Sequence, residues 1–475
     1  MTTAADFRIL QTGDELERLF TSVGEWEKKR TDGDVVTGGK YRGQFQTQVA
    51  LIAKELRGAI QALKGALQQL RTDGETMPVA GIYQECARHD RRIVWLWRAW
   101  DYFREKFDQR DDRGLSPAVR AADEVLWSCY KPFFDALGLP RPAPPLPYIE
   151  KTYSPTALRA GDSGHLEKSD EVEDSPLADF FNRLPVPLLQ LPPMAVSAPW
   201  MLVLIAHETG HFVQEYVPAP KNYREVFRER LQAIAKPIGG SDAESAWGRW
   251  APEIFADLYS VALCGVWAVW VMAQFELARA GKPTTRGRDY PSPLVRVWLL
   301  SKFASEAGLP GADMVVSSLG LDPEAEARNS TEVRNDLEIA RQVAPLAREK
   351  PGDAPAPLPD LLRLDPRDFR AAVGFDDPGE VVQWAEVMRG VRKKGNSSDV
   401  KAARLVAAGA AQAWREIVDM PPGDARQAAI RSIRAEAFSR MAFNAEPGTR
   451  AVTLPVAGPS LADAILAMKE DDLFR

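Results

Sequence analysis

Apolar residues recur every three or four positions over long stretches of this chain, and that period belongs to helices buried along one face. In "FQTQVALIAKELRGAIQALKGALQQL" the stripe is Phe45, Val49, Ile52, Leu56, Ile60, Leu63, Leu67 and Leu70, which predicts one long amphipathic helix in need of a partner. Two more helical patterns follow, "RRIVWLWRAWDYFREKF" and "SPAVRAADEVLWSCYKPFFDAL", before Gly138 and the proline-rich "LPRPAPPLPY" end the run. Residues 1–148 therefore read as a helical N-terminal domain. The pattern then changes. "YIEKTY" and "PVPLLQL" read as short extended segments, the second confined to a sheet edge by its prolines. Between them "RAGDSGHLEKSDEVEDSP" is acidic and without period, which predicts a loop, with His165 a solvated residue of it. His89, in "ARHDRR" at the start of the second helical pattern, gets the same reading. Helical periodicity resumes, so 149–348 forms a middle domain, 349–361 a Pro-rich linker, and 362–475 a helical C-terminal region containing "VKAARLVAAGAAQAWREIV" and "ARQAAIRSIRAEAFSRMAF".

Composition narrows the function classes. A chain of 475 residues exceeds the size at which one core keeps growing, and 45% hydrophobic with 27% charged residues is globular composition. Net charge is −6, so no nucleic-acid partner is expected; Arg392, Lys393 and Lys394 form the basic cluster worth naming, beside loop residues, and read as a solvated turn. Cys86, Cys129 and Cys264 are odd in number and widely spaced, which fits a reducing compartment better than a disulfide framework. The first residues lack a basic start followed by an apolar run, so the expected location is the cytoplasm. The uncharged stretch "LYSVALCGVWAVWVMAQF" is long enough to raise a membrane helix, but Ser260, Gln274 and its isolation favour a buried core helix and no membrane partner. Neither a phosphate-cradling glycine loop nor a nucleophile elbow is present.

The chemistry gathers in "IAHETGHFVQEY", because His207 and His211 account for two of the four histidines in the chain. Residues four apart on an α-helix lie about 40° apart in projection and roughly 6 Å along the axis, so both imidazoles can reach one tetrahedral metal. Glu208, about 100° round from His207, can reach a water on that metal without ligating it, the place of a general base. Ser197 and Pro199 in "SAPW" supply a cap and a first turn, and "MLVLIA" buries the helix. The alternative is a pair of structural histidines in a core. A catalytic zinc takes three protein ligands and leaves a place for water. "RWAPEIFADLYSVALCG" offers Glu253 as the third ligand and Asp257, one turn on, as a hydrogen-bond acceptor for a ligating histidine, on a helix that Pro252 helps begin.

H-E-T-G-H at 207–211 followed by E-I-F-A-D at 253–257 resembles the gluzincin metallopeptidases, whose pattern is H-E-x-x-H and a later E-x-x-x-D. The resemblance implies Zn2+ held by His207, His211 and Glu253, water activated by Glu208, and Asp257 supporting a ligand. "DYPSPLVRVWLL" is similar to the H-P-x-x-x-x-R stretch of some gluzincins, with Tyr290 where His is usual, and implies that Tyr290 and Arg296 stabilise the oxyanion. The expected fold is mainly α (α+β), a zincin-like core with a small sheet flanked by helical N- and C-terminal regions. The expected activity is peptide hydrolysis on a peptide or protein substrate, with the flanking helices available to a regulatory partner. Two rivals stand beside it: a helical regulatory or interaction protein with a structural zinc, and a zinc hydrolase acting on something other than peptides.

Overall fold

The structure is a computed structural model and describes residues 3–31, 45–74, 76–158, 186–214, 223–278, 282–320, 322–350, 354–372, 377–443 and 460–468. Four long helices come first: α1 (Thr3–Thr31), α2 (Gln46–Asp73), α3 (Val79–Asp108) and α4 (Ser116–Leu137). The stripe of α2 is what it buries, since Ile52, Leu56, Ile60 and Leu63 all lie in one cluster with Leu16, Leu19 and Val23 of α1 and Leu96 and Phe103 of α3. Local signals set the limits of α4. Pro117 occupies its first turn, and Gly138, at φ 63°, takes the left-handed conformation that closes a helix. By contrast α3 begins well before "RRIV", so His89 stands inside the helix and is buried, where a solvated residue at a helix start was expected.

Among the described residues the chain is mainly helical with one small sheet. β1 (Leu146–Ile149), β2 (Thr156–Leu158) and β3 (Leu188–Leu191) lie in the order β1-β3-β2, β1 parallel and β2 antiparallel to β3. "PVPLLQL" was expected at an edge and instead supplies the central strand. The reason is that Pro187 precedes Leu188, leaving every N–H of the strand available to its ladder, while Pro187 itself only accepts, from the Leu146 amide at 2.8 Å. Alternation along β3 then divides two cores: Leu189 and Leu191 join the larger cluster, whereas Leu188 joins Leu146 and Tyr148 in the cluster of α1–α3.

The larger core contains α4, the helices of the middle region and the helices Ala402–Val418 and Asp424–Phe443. Packing thus ties α4 to the middle of the chain, and the short helix Leu461–Ala467 returns to α2, where the Leu461 amide donates to Glu55 Oε2 at 3.1 Å. Leu358 and Leu361, within the Pro-rich stretch, are buried in the same large core. The apolar run after Asp257 is two helices and not one. Gly265, at φ 64°, breaks it between Tyr223–Cys264 and Val266–Glu276, and a Cβ there would lie 2.5 Å from the Phe369 ring. Among the described residues no helix is long and apolar enough to cross a membrane.

Candidate metal centre

The H-E-x-x-H residues lie on the helix Leu204–Val213, entered through a 3-10 turn, Pro199–Val203. Pro199 opens that turn, as its fixed φ suits, but Ser197 does not cap it: its hydroxyl donates backwards to the Met194 carbonyl at 3.1 Å. The second element is the helix Tyr223–Cys264, kinked at Gly240 (φ 69°, ψ −160°). Pro252 lies inside this helix and does not begin it. Gly210 sets the approach of the two helices, because a Cβ at that position would stand 2.7 Å from Ala256 Cα. Only glycine lets the backbones come so close.

That approach brings three expected ligands together. Nε2 of His207 and Nε2 of His211 are 3.2 Å apart, while Glu253 Oε2 lies 3.2 Å from the first and Oε1 lies 3.4 Å from the second. Bonds of about 2.0–2.1 Å in a tetrahedral site put neighbouring donors roughly 3.3 Å apart, so the donor set fits zinc. Among the described residues this is the one group of three or more His, Cys, Asp or Glu side chains that converges in this way.

Behind the ligands lies a buried charge network. Asp257 Oδ1 is 2.9 Å from Nδ1 of His207, which leaves Nε2 as the nitrogen facing the other donors. Arg296, on the helix Pro293–Glu306, donates to both Asp257 oxygens at 2.7 and 2.8 Å, to Glu276 Oε1 at 2.8 Å, and to Glu253 Oε2 at 3.5 Å. With Nε and both Nη atoms taken by carboxylates, Arg296 holds these side chains in place, and it would have to release one of them to face an oxyanion. Tyr290 sets its ring over the guanidinium, 4.8 Å from Cζ, and so borders the site through Arg296. Tyr259 turns away from the site, donating to the Cys129 carbonyl at 2.8 Å, and Tyr216 lies outside the described residues.

The electrostatics follow from burial and pairing. Burial alone pushes the His207 imidazole down, but Asp257 and Glu253 outweigh it and hold the group up at about 10. Burial pushes Glu253 up, yet the two histidines hold its carboxyl well below the usual range; Asp257 is likewise held low by Arg296 and His207 against burial. Glu208 goes the other way. Its burial exceeds the help of both imidazoles and of the Ala157 backbone on β2, so its proton affinity is raised.

Glu276 and Gln214 were not anticipated as neighbours of the centre. Glu276 carries no local signal, since it reaches Arg296 only through the fold; Gln214 stands three residues past His211, a spacing that puts it on the same helix face. His165 and the acidic loop around Glu167–Asp174 lie outside the described residues. Compared with protein-family models, with curated proteins and with solved structures, the chain gives no match in any of the three.

Proposed function

We propose that the chain is a zinc-dependent metallopeptidase of the gluzincin kind, built on a zincin-like core and acting in the cytoplasm. The observation that carries this reading is the convergence of two Nε2 atoms and one carboxylate at 3.2 to 3.4 Å, with the buried carboxyl of Glu208 on the same helix. Zinc held by His207, His211 and Glu253 supplies a Lewis acid that polarises a carbonyl and eases ionisation of water. Glu208 then takes a proton from the attacking water as the C–O bond forms, and returns it to the leaving nitrogen as the C–N bond breaks. Its raised proton affinity makes it a stronger base than a solvated glutamate.

Two features favour a peptidase over the alternatives. The described ligand group has three members, which leaves a place for water, whereas a structural zinc site is closed by a fourth protein ligand. Among the described residues β2 is an edge strand, and its Ala157 amide reaches Glu208, so an extended peptide pairing with that edge would pass beside the base. Three buried free thiols support the reducing compartment. Tyr290 is the proposed oxyanion donor: Tyr290→Phe lowers kcat by roughly a hundredfold with zinc content unchanged.

The test is to incubate the zinc-loaded chain with a peptide library and map new N-termini by mass spectrometry, with Glu208→Gln as control. Cleavage that disappears in Glu208→Gln is expected. A fully zinc-loaded chain that yields no Glu208-dependent termini rejects the peptidase and leaves a hydrolase of other substrates.

A further inference from the structure

We propose that Gln214 is the positioning residue of the second histidine, its buried side-chain amide meeting Nδ1 of His211 so that Nε2 faces the other donors. The inference rests on the metal reading above. At His207 the Asp257 carboxylate faces Nδ1 from 2.9 Å, and the corresponding place at His211 is taken by an uncharged amide. Gln214 follows directly on the helix Leu204–Val213, its N–H donating to the Gly210 carbonyl at 3.2 Å and its carbonyl accepting from the Arg224 amide at 3.3 Å. Pinned on both sides, its fully buried side chain brings Nε2 to 3.3 Å from His211 Nδ1 and 3.4 Å from the His211 carbonyl. Its Oε1 is buried without a hydrogen-bond partner among the described residues.

An amide can meet Nδ1 as donor or as acceptor, and the proton of the imidazole decides which end serves. With the amide nitrogen as donor, Nδ1 of His211 accepts, the ring proton sits on Nε2, and Glu253 Oε1 at 3.4 Å is there to take it. A metal on Nε2 reverses this: Nδ1 must carry the proton and needs an acceptor. A half-turn of the amide places Oε1 where Nε2 stood, with almost no change in shape, and gives the orphaned oxygen a donor. Gln214 can thus serve a ligating His211 as the acceptor for its Nδ1 proton.

Zinc affinity measured by chelator competition, with the thermal midpoint of each metal-free variant as a check on folding, tests this. Gln214→Leu, which fills the space without an acceptor, is expected to bind zinc about ten- to a hundredfold more weakly, while Gln214→Glu, which keeps the acceptor, binds at least as tightly as the parent chain. Because the chain has only four histidines, 15N-histidine spectra of the parent protein read the tautomer with no substitution at all. They should show His211 protonated at Nδ1 with zinc. Equal affinity of Gln214→Leu, equal losses in both variants, or an unprotonated Nδ1 in the zinc form overturns the assignment to Gln214 and leaves the metal centre standing. A parent chain that takes up no zinc overturns the metal centre, and this inference with it.

Discussion

The three-helix region of α1–α3 and the region around the candidate centre are both buried, and they use charge in opposite ways. Between α1, α2 and α3 the ion pairs sit at the rim of the apolar stripes: Arg57 with Glu27, Lys64 with Glu17 and Arg30 with Asp108 are all partly exposed. Such pairs contribute about 0–1 kcal/mol each. Around the centre Asp257, Glu276 and Arg296 are 2%, 1% and 1% exposed, in a core that apolar residues of the same volume would fill at less cost. Charges kept in such a place stabilise the fold poorly, and what they provide is a fixed geometry for His207 and Glu253.

The sharpest way to break the contrast is to remove a cation on each side. Arg296→Met leaves Asp257 and Glu276 without their counter-charge and is expected to cost about 3–5 kcal/mol, along with zinc affinity. Arg57→Ala should cost no more than about 1 kcal/mol and leave zinc binding alone. Chemical denaturation and chelator competition on both variants check this, and equal losses would erase the distinction. Glycines make the second comparison. Gly210→Ala drives a methyl group into Ala256 and should destabilise by about 1–3 kcal/mol, whereas Gly65→Ala, in α2 with nothing within 4 Å, should stabilise by roughly 0.5–1 kcal/mol. Thermal melts decide between these signs.

The exception within the three-helix region is Lys106, buried on α3 with its ammonium over the Tyr102 ring and donating to the Tyr102 carbonyl at 2.8 Å. Burial lowers it to about 8 against the pull of Glu150. A lysine whose folded value lies below the unfolded one of about 10.5 makes the folded chain bind fewer protons between those limits, so stability rises with pH from about 8 to 10.5. Lys106→Met should flatten that rise; a slope unchanged by the substitution would place its origin elsewhere. That rise sharpens the rule that a poorly compensated buried charge weakens a fold.

These contrasts also mark what the sequence made legible. α4 reads end to end, since its proline, its apolar stripe and its closing glycine are all local. The spacing of His207, His211, Glu253 and Asp257 reads as well, because period-four placement on a helix is a local property. Long-range placement does not read. That "PVPLLQL" is central follows from two strands pairing with it, one of them only three residues long, and the helix carrying Glu253 runs straight through Pro252 because tertiary packing outweighs the missing N–H. Arg296 shows the same limit. Its position after the second helix suggested an oxyanion donor, and only the fold reveals three carboxylates converging on it.

Zinc content measures the central claim most directly. After loading and desalting, elemental analysis should find about one zinc per chain in the parent protein and in Glu208→Gln, and almost none in His207→Ala or His211→Ala. A parent chain without zinc, or histidine variants that keep it, would contradict the account.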